Sequence, residues 1–462
     1  MSTILEYLRE HGTFINAPCN GEGCCGKCLV KIKECPPLTK KEKQLLTPTQ
    51  ISKGYVLACQ HEMKDITIIY ENHVGDILSD VDTIKGNNQE GYGAIIDLGT
   101  TTIVFKLIRL KDGQIIKTIS EYNHQVSYGS DVISRIKYDT NHPKELHKII
   151  ISQIDNIIQL VDEEIQYLYV CGNTTMIHLF NGMNTSSLGV YPFNVPCLGI
   201  YESNNLFSKE IRTITLPHIS AYVGSDIVMG IYSLDIDEKE KYNALIDLGT
   251  NGEIVVGNKE EIITTSSPAG PAFEGQNMEC GGPSLKGAIS EVCLNEKISF
   301  KTIQNGKPIC ICGSGIISCI AELRRKNIIN EMGMFYDGRK QFNLIDDIYI
   351  SQKDIQSFLL AKSAVKTGLK ILLNKINEVD KIYISGGLGN HLKIADLITL
   401  KMIDDKYQDK IVIVDNTALQ GVYRYCLSND QKRVERIIKK SVNIDLSQDE
   451  NFQDELIDGL YI

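Results

Sequence analysis

Residues 19–28 read C-N-G-E-G-C-C-G-K-C, and another cysteine stands in V56-L-A-C59-Q60. Thiolates are soft metal ligands, and glycines let a loop wrap closely around an inorganic core while its N–H groups donate to cluster sulfurs. Two registers compete. Cys19-x4-Cys24 reproduces one known first gap but leaves Cys28 a residue late; Cys19-x5-Cys25-x2-Cys28 keeps the last pair and leaves Cys24 spare. We take the second, with Cys19, Cys25, Cys28 and Cys59 as iron ligands. Structural zinc is disfavoured because it takes paired C-x2-4-C knuckles and one such pair is present. A redox C-x-x-C is disfavoured because no βαβ pattern surrounds it.

A second chemistry is written twice. A94-I-I-D97-L-G-T100-T-T-I-V recurs as A244-L-I-D247-L-G-T250-N-G-E-I-V, 150 positions later. In each copy an apolar strand ends at an aspartate, a Gly-Thr turn follows, and the chain returns as a strand. Such a tip presents backbone N–H groups and hydroxyls to a phosphate. Here these are Gly99, Thr100, Thr101 and Thr102, and Gly249, Thr250, Asn251 and Gly252. The aspartates can hold Mg²⁺, usually through water. Asp97 and Asp247 are therefore the expected catalytic carboxylates. No G-x4-G-K-[ST] P-loop occurs.

The elements that must position these groups follow from length and pattern. At about 150 residues per domain, 462 residues suggest roughly three units. Hydrophobic residues at 42% and charged residues at 23% support a full core and exclude general disorder. A helix bearing Ile4, Leu5 and Leu8 precedes the cysteine loop, while L29-V-K-I-K and I66-T-I-I-Y read as strands. Residues 73–92 are polar and read as a linker, with residues 1–72 before it. Beyond it, 93–462 divides into lobes of about 93–240 and 241–462, because repetition on that scale implies duplicated lobes.

Acidic residues outnumber basic ones 58 to 48, a net charge of -10, which argues against nucleic-acid or anionic-membrane partners. No run of 18 apolar residues or export signal is visible, so a soluble cytoplasmic protein is expected. Eight of the fourteen cysteines, from Cys171 to Cys426, read as buried small hydrophobes. His61 and His73 read as surface residues, and the basic stretch Lys432–Lys440 as a solvated helix face.

Residues 13–33 and 55–70 resemble a [2Fe–2S] ferredoxin domain of adrenodoxin-like spacing, with "LACQ" around the fourth ligand. The resemblance implies an abbreviated β-grasp domain, since the expected opening hairpin is missing. The paired D-L-G-T phrases resemble the phosphate motifs of the acetate kinase, sugar kinase, Hsp70 and actin superfamily. Its adenosine motif is matched by I384-S-G-G-L-G-N390, implying nucleotide contacts at Gly386, Gly387 and Gly389. The implied fold class is α/β: a ferredoxin-like domain, then a two-lobed, duplicated RNase H-like ATPase.

Further phrases, including G129-S-D-V-I-S-R-I136, H218-I-S-A-Y-V-G-S-D226 and S267-P-A-G-P-A-F-E-G275, are similar to those of the reductive activators of corrinoid proteins. That resemblance implies ATP-dependent transfer of one electron from a [2Fe–2S] cluster to Co(II), regenerating Co(I) for methyl transfer. Its cofactors are the cluster, ATP and Mg²⁺. Its partners are a corrinoid protein of a methyltransferase system and an electron donor such as a ferredoxin or flavoprotein, with a homodimer by family analogy. No D-x-H-x-x-G corrinoid motif occurs, so the cobalt belongs to a partner. Alternatives are an activator of another iron–sulfur enzyme, of double-cubane reductase or dehydratase type, and a small-molecule kinase.

Overall fold

Thr3 and Glu6 form a reciprocal capping box that starts helix α1, Ile4–Glu10. Its Ile4, Leu5 and Leu8 pack on Ile15, Val30, Leu57 and Ala58. A computed structural model describes residues 2–34, 36–64, 66–69, 81–276, 278–387 and 391–462. Strands β1 (Leu29–Ile32), β2 (Tyr55–Leu57) and β3 (Ile68–Ile69) form an antiparallel sheet in the order β2-β1-β3. This small sheet agrees with the abbreviated β-grasp expectation.

Within the expected linker, residues 73–80 lie outside the described residues. The segment after them is tied down. The Asp82 N–H donates to Gln420 Oε1 at 2.8 Å and the Ile84 N–H to the Tyr423 hydroxyl at 3.3 Å.

Both lobes begin with the same construction. In the first, β4 (Tyr92–Leu98), β5 (Thr102–Arg109) and β6 (Ile115–Tyr122) run antiparallel, and β7 (Ile165–Gly172) pairs parallel with β4. Strands β8 (Tyr201–Ser203) and β9 (Arg212–Thr215) complete the order β6-β5-β4-β7-β9-β8. In the second, β10 (Tyr242–Leu248), β11 (Gly252–Gly257) and β12 (Ile262–Ser267) repeat the meander, and Val379–Ser385 pairs parallel with β10. The first strand starts at Tyr92, the last residue of the expected linker.

Helices Ser225–Ser233 and Thr417–Ser428 pack together between the lobes, in a core with Ile95, Tyr169, Leu245 and Val255. They meet in backbone contact: a Cβ on Gly421 would stand 2.0 Å from the Met229 carbonyl oxygen. Any larger residue there must push the helices apart. Both helices start at the interlobe cleft.

The basic stretch presents the expected solvated helix face, with Lys432, Glu435, Arg436 and Lys439 exposed, but its other face is buried. In helix Gln431–Lys440, Val434 and Ile437 turn inward, and Arg433 is buried, donating to Asp237 at 2.6 and 2.9 Å. His61 differs from expectation. Its Nε2 lies 2.8 Å from Oε1 of the fully buried Glu42, which also accepts from the Leu57 N–H. His73 lies outside the described residues.

The cysteine-bearing region touches both lobes. The Arg9 guanidinium donates to the Ser127 carbonyl and lies 4.4 Å over the Tyr128 ring; Phe14 stacks on Tyr122 and His124. Lys27 reaches the second lobe.

Candidate functional site

The first element of the site is the thiol loop. Cys19 and Cys25 sulfurs stand 3.3 Å apart, and those of Cys28 and Cys59 3.5 Å apart. Two thiolates about 2.3 Å from one tetrahedral metal lie roughly 3.7 Å apart. Each pair therefore has the spacing that one metal takes, and two pairs fit a two-metal cluster. Cys24 is exposed, while Cys28 is buried against β1. Positive backbone angles at Gly21, Gly23 and Gly26 carry the loop around the thiols (φ 87°, 67° and 69°), a region glycine enters without strain. Gln60 Nε2 donates to the Cys59 sulfur at 3.3 Å.

The second element is the cleft. Asp97 and Asp247 are the penultimate residues of β4 and β10; each turn then closes on itself, Gly99 N–H to the Thr102 carbonyl at 2.9 Å and Gly249 N–H to the Asn251 carbonyl at 3.2 Å. Asp247 feels the charge of Asp97 across the cleft. Burial, then the charges of Asp97 and Glu274, pushes Asp247 up to about 7, and burial also raises Asp97. A bound divalent cation reverses this effect by favouring the ionised form. Asn416 Nδ2 donates to Asp97 Oδ2 at 2.6 Å, and Asn173 Nδ2 to Thr100 Oγ1 at 3.0 Å.

Gly386 and Gly387 follow the strand paired with β10. A Cβ on Gly386 (φ 126°) would meet the Leu248 carbonyl at 2.5 Å, so this turn presses against the Asp247 turn. Gly389 lies outside the described residues.

Several neighbouring groups went unassigned in the sequence reading. Asp226, in the first turn of the first interface helix, is pushed up to about 8 by burial and then by Asp247. Glu253 lies opposite Asp247 on β11 and is raised for the same leading reason. Glu274 Oε2 accepts from both Thr101 Oγ1, at 2.7 Å, and Thr250 Oγ1, at 3.0 Å. Arg135 is fully buried beneath the first turn, donating to the Thr100 and Gly129 carbonyls; burial lowers it to about 9. Asp226, Glu274 and Arg135 all sit inside the phrases quoted above, which was the available signal.

This arrangement can bind a magnesium–triphosphate between two lobes and a small metal cluster beside them. Comparison with known proteins finds an iron–sulfur domain and an ASKHA domain in the chain. Residues 1–64 match the 2Fe-2S iron-sulfur cluster binding domain, 92–239 the RACo middle region, and 241–462 the C-terminal domain of RACo, the ASKHA domain. The corrinoid activation enzyme RamQ of Eubacterium limosum is 31% identical over 421 residues, 80% of this chain and 71% of that protein. The [Co(II) methylated amine-specific corrinoid protein] reductase of Methanosarcina barkeri is 24% identical over 373 residues, 71% of this chain and 68% of its own. A solved structure titled reductive activator for corrinoid, iron-sulfur protein superposes with a TM-score of 0.76 at 27% identity, covering 100% of this chain and 95% of that one. With its iron–sulfur domain, middle region and ASKHA domain in this order, the chain belongs to the RACo family of corrinoid activators.

Proposed function

We propose that the protein uses ATP to drive one electron from a [2Fe–2S] cluster onto the Co(II) of a corrinoid protein, regenerating Co(I). The observation that carries this reading is the presence, in one chain, of the thiol quartet Cys19, Cys25, Cys28 and Cys59 and a two-lobed cleft with Asp97 and Asp247. The bound cluster would supply one-electron chemistry. An uphill transfer needs an external source of free energy, since moving one charge against about 100 mV costs about 2.3 kcal/mol.

The residues have separable tasks. Thr100, Thr101 and Thr250 offer hydroxyls to the phosphates, and the turn N–H groups add further donors. Asp97 and Asp247 would hold Mg²⁺ from opposite lobes, and Asn416 fixes the orientation of Asp97. Gly386 and Gly387 leave room for the nucleoside. Nucleotide can alter the electron transfer only by favouring one arrangement of the lobes over another.

We place the protein in the cytoplasm, as a homodimer served by a ferredoxin or flavoprotein. Thirteen cysteines among the described residues are unpaired, which suits a reducing compartment, and no described helix is long and apolar enough to cross a membrane.

The decisive experiment follows Co(II) turning to Co(I) optically on an isolated corrinoid protein, anaerobically, with a reductant of modest potential. Reduction should require both ATP and Mg²⁺. Equal rates without ATP would remove the coupling; ATP-dependent reduction of an iron–sulfur enzyme instead would redirect the assignment.

A further inference from the structure

One short segment touches both halves of the machinery. At its start, a single oxygen of Glu274 accepts hydroxyls from Thr101 in the first lobe and Thr250 in the second. Gln276 Nε2 adds a bond to Thr101 Oγ1 at 2.8 Å. At its end, the carbonyls of Met278, Glu279 and Gly281 accept from Lys27 Nζ at 3.0, 3.4 and 3.1 Å. Lys27 lies between Cys25 and Cys28. An ammonium has three protons, and all are directed at this one stretch of backbone.

The described part of the segment is stiff. Gly281 packs so close to Gly275 that a Cβ would lie 2.1 Å from the Gly275 carbonyl oxygen. The Gly282 N–H donates to the Ile311 carbonyl at 3.0 Å, and the Ile311 N–H to the Cys280 carbonyl at 2.9 Å. Glu279 is pinned at both ends, its N–H to Asp354 Oδ1 at 2.9 Å and its Oε2 to the Tyr349 hydroxyl at 2.7 Å.

We propose that residues 274–276 and 278–281, joined by the Gly275–Gly281 contact, link the nucleotide cleft mechanically to the iron–sulfur loop, with Glu274 and Lys27 as the positioning residues. This rests on the ATP-driven reading above. Triphosphate oxygens compete for the Thr101 and Thr250 hydroxyls. The Glu274 carboxylate then loses two donors and faces a like charge, so the arrangement that held it becomes costly. Its displacement passes through the close Gly275–Gly281 contact to the carbonyls that hold the Lys27 ammonium. A cation beside the thiolates favours the more negative, reduced state of a cluster, so moving it changes the reduction potential. Such coupling is reciprocal: reduction must change nucleotide affinity by the factor that nucleotide changes reduction.

The test measures binding of a non-hydrolysable Mg–ATP analogue to the holoprotein by calorimetry, oxidised and then reduced. The cluster potential is measured with and without the analogue, and hydrogen exchange across residues 19–30 is followed in cluster-free protein. Wild type should show about a fivefold or greater affinity difference between the two redox states, with altered exchange in the loop on binding. Lys27→Met should bind the analogue yet show equal affinities and no loop response, and Lys27→Arg should restore part of the difference. If Lys27→Met loses its cluster, Glu274→Gln tests the other end of the segment, away from the thiols, and should show the same collapse. Wild-type protein that binds the analogue with equal affinity in both states overturns the link and leaves the ATP reading standing. Retention of the full difference in Lys27→Met, or in Glu274→Gln where that variant replaces it, also overturns it. Failure of wild type to bind nucleotide removes the ATP reading, and the link with it.

Discussion

Asn416 and Asp97, 319 positions apart, are joined by a 2.6 Å hydrogen bond across the interlobe cleft. The same Asn416 side chain caps its own helix by accepting from the Leu419 N–H at 2.7 Å. One residue thus starts the second interface helix and orients the first lobe's carboxylate. Asp97→Asn and Asp247→Asn should each lower ATP hydrolysis at least about tenfold, or about 1.4 kcal/mol, by weakening charge neutralisation at the transferring phosphoryl group. Asn416→Ala should cost about tenfold through loss of orientation alone. Phosphate release under saturating Mg²⁺ measures all three, and near-normal turnover in both aspartate variants would sink the carboxylate assignment.

The thiol register is open to direct test. Serine at Cys19, Cys25, Cys28 or Cys59 should remove or severely perturb the visible and EPR signatures of the cluster, whereas Cys24→Ser should keep them. The reverse pattern at Cys24 and Cys25 would show that the first pair is Cys19 with Cys24.

The two modules should fail separately. Cys59→Ser should still hydrolyse ATP, because the cleft aspartates lie in other parts of the fold, but should deliver no electrons. Asp247→Asn should retain a reducible cluster while losing ATP-dependent cobalt reduction. Parallel assays of phosphate release and cobalt absorbance distinguish these outcomes.

Glu42 is fully buried and serves His61, Leu57 and Thr39 at once. It braces the strand that leads into Cys59. Glu42→Ala leaves these donors unsatisfied and should destabilise the iron–sulfur domain by about 3 kcal/mol. Loss of the cluster's visible absorbance on heating should come at lower temperature than in wild type.

Acid should unfold the protein partly through His218. Burial, with neighbouring His178, depresses this imidazole to about 3, and its Nδ1 accepts from the Ser225 N–H at 3.1 Å. The unfolded chain takes up the proton near pH 6.5, so this stability is complete above 6.5 and is lost as pH falls towards 3. At pH 5 the loss is about 2 kcal/mol. Thermal midpoints at pH 7 and 5 should therefore fall less for His218→Asn than for wild type; equal falls would remove His218 as the cause.

The sequence determined the local pieces of this protein because each rests on near neighbours. The cysteine loop needs its glycines between its thiols. Each D-L-G-T turn needs an apolar strand on either side, and the 150-residue offset survives as strands β4 and β10 with matching bounds. Tertiary structure decided what long separations hide. His61 looks like an exposed histidine until Glu42 is folded beneath it, and Arg433 looks solvated until Asp237 meets it. Glu274 sits inside a recognisable phrase, but its task is hidden there, since its two hydroxyl donors come from opposite lobes. Asn416 caps its own helix locally, while its bond to Asp97 comes from 319 positions away. Hydrophobic periodicity reports which face is buried; it contains nothing about which polar group from a distant strand will meet that face, and only packing of the two lobes supplies that partner.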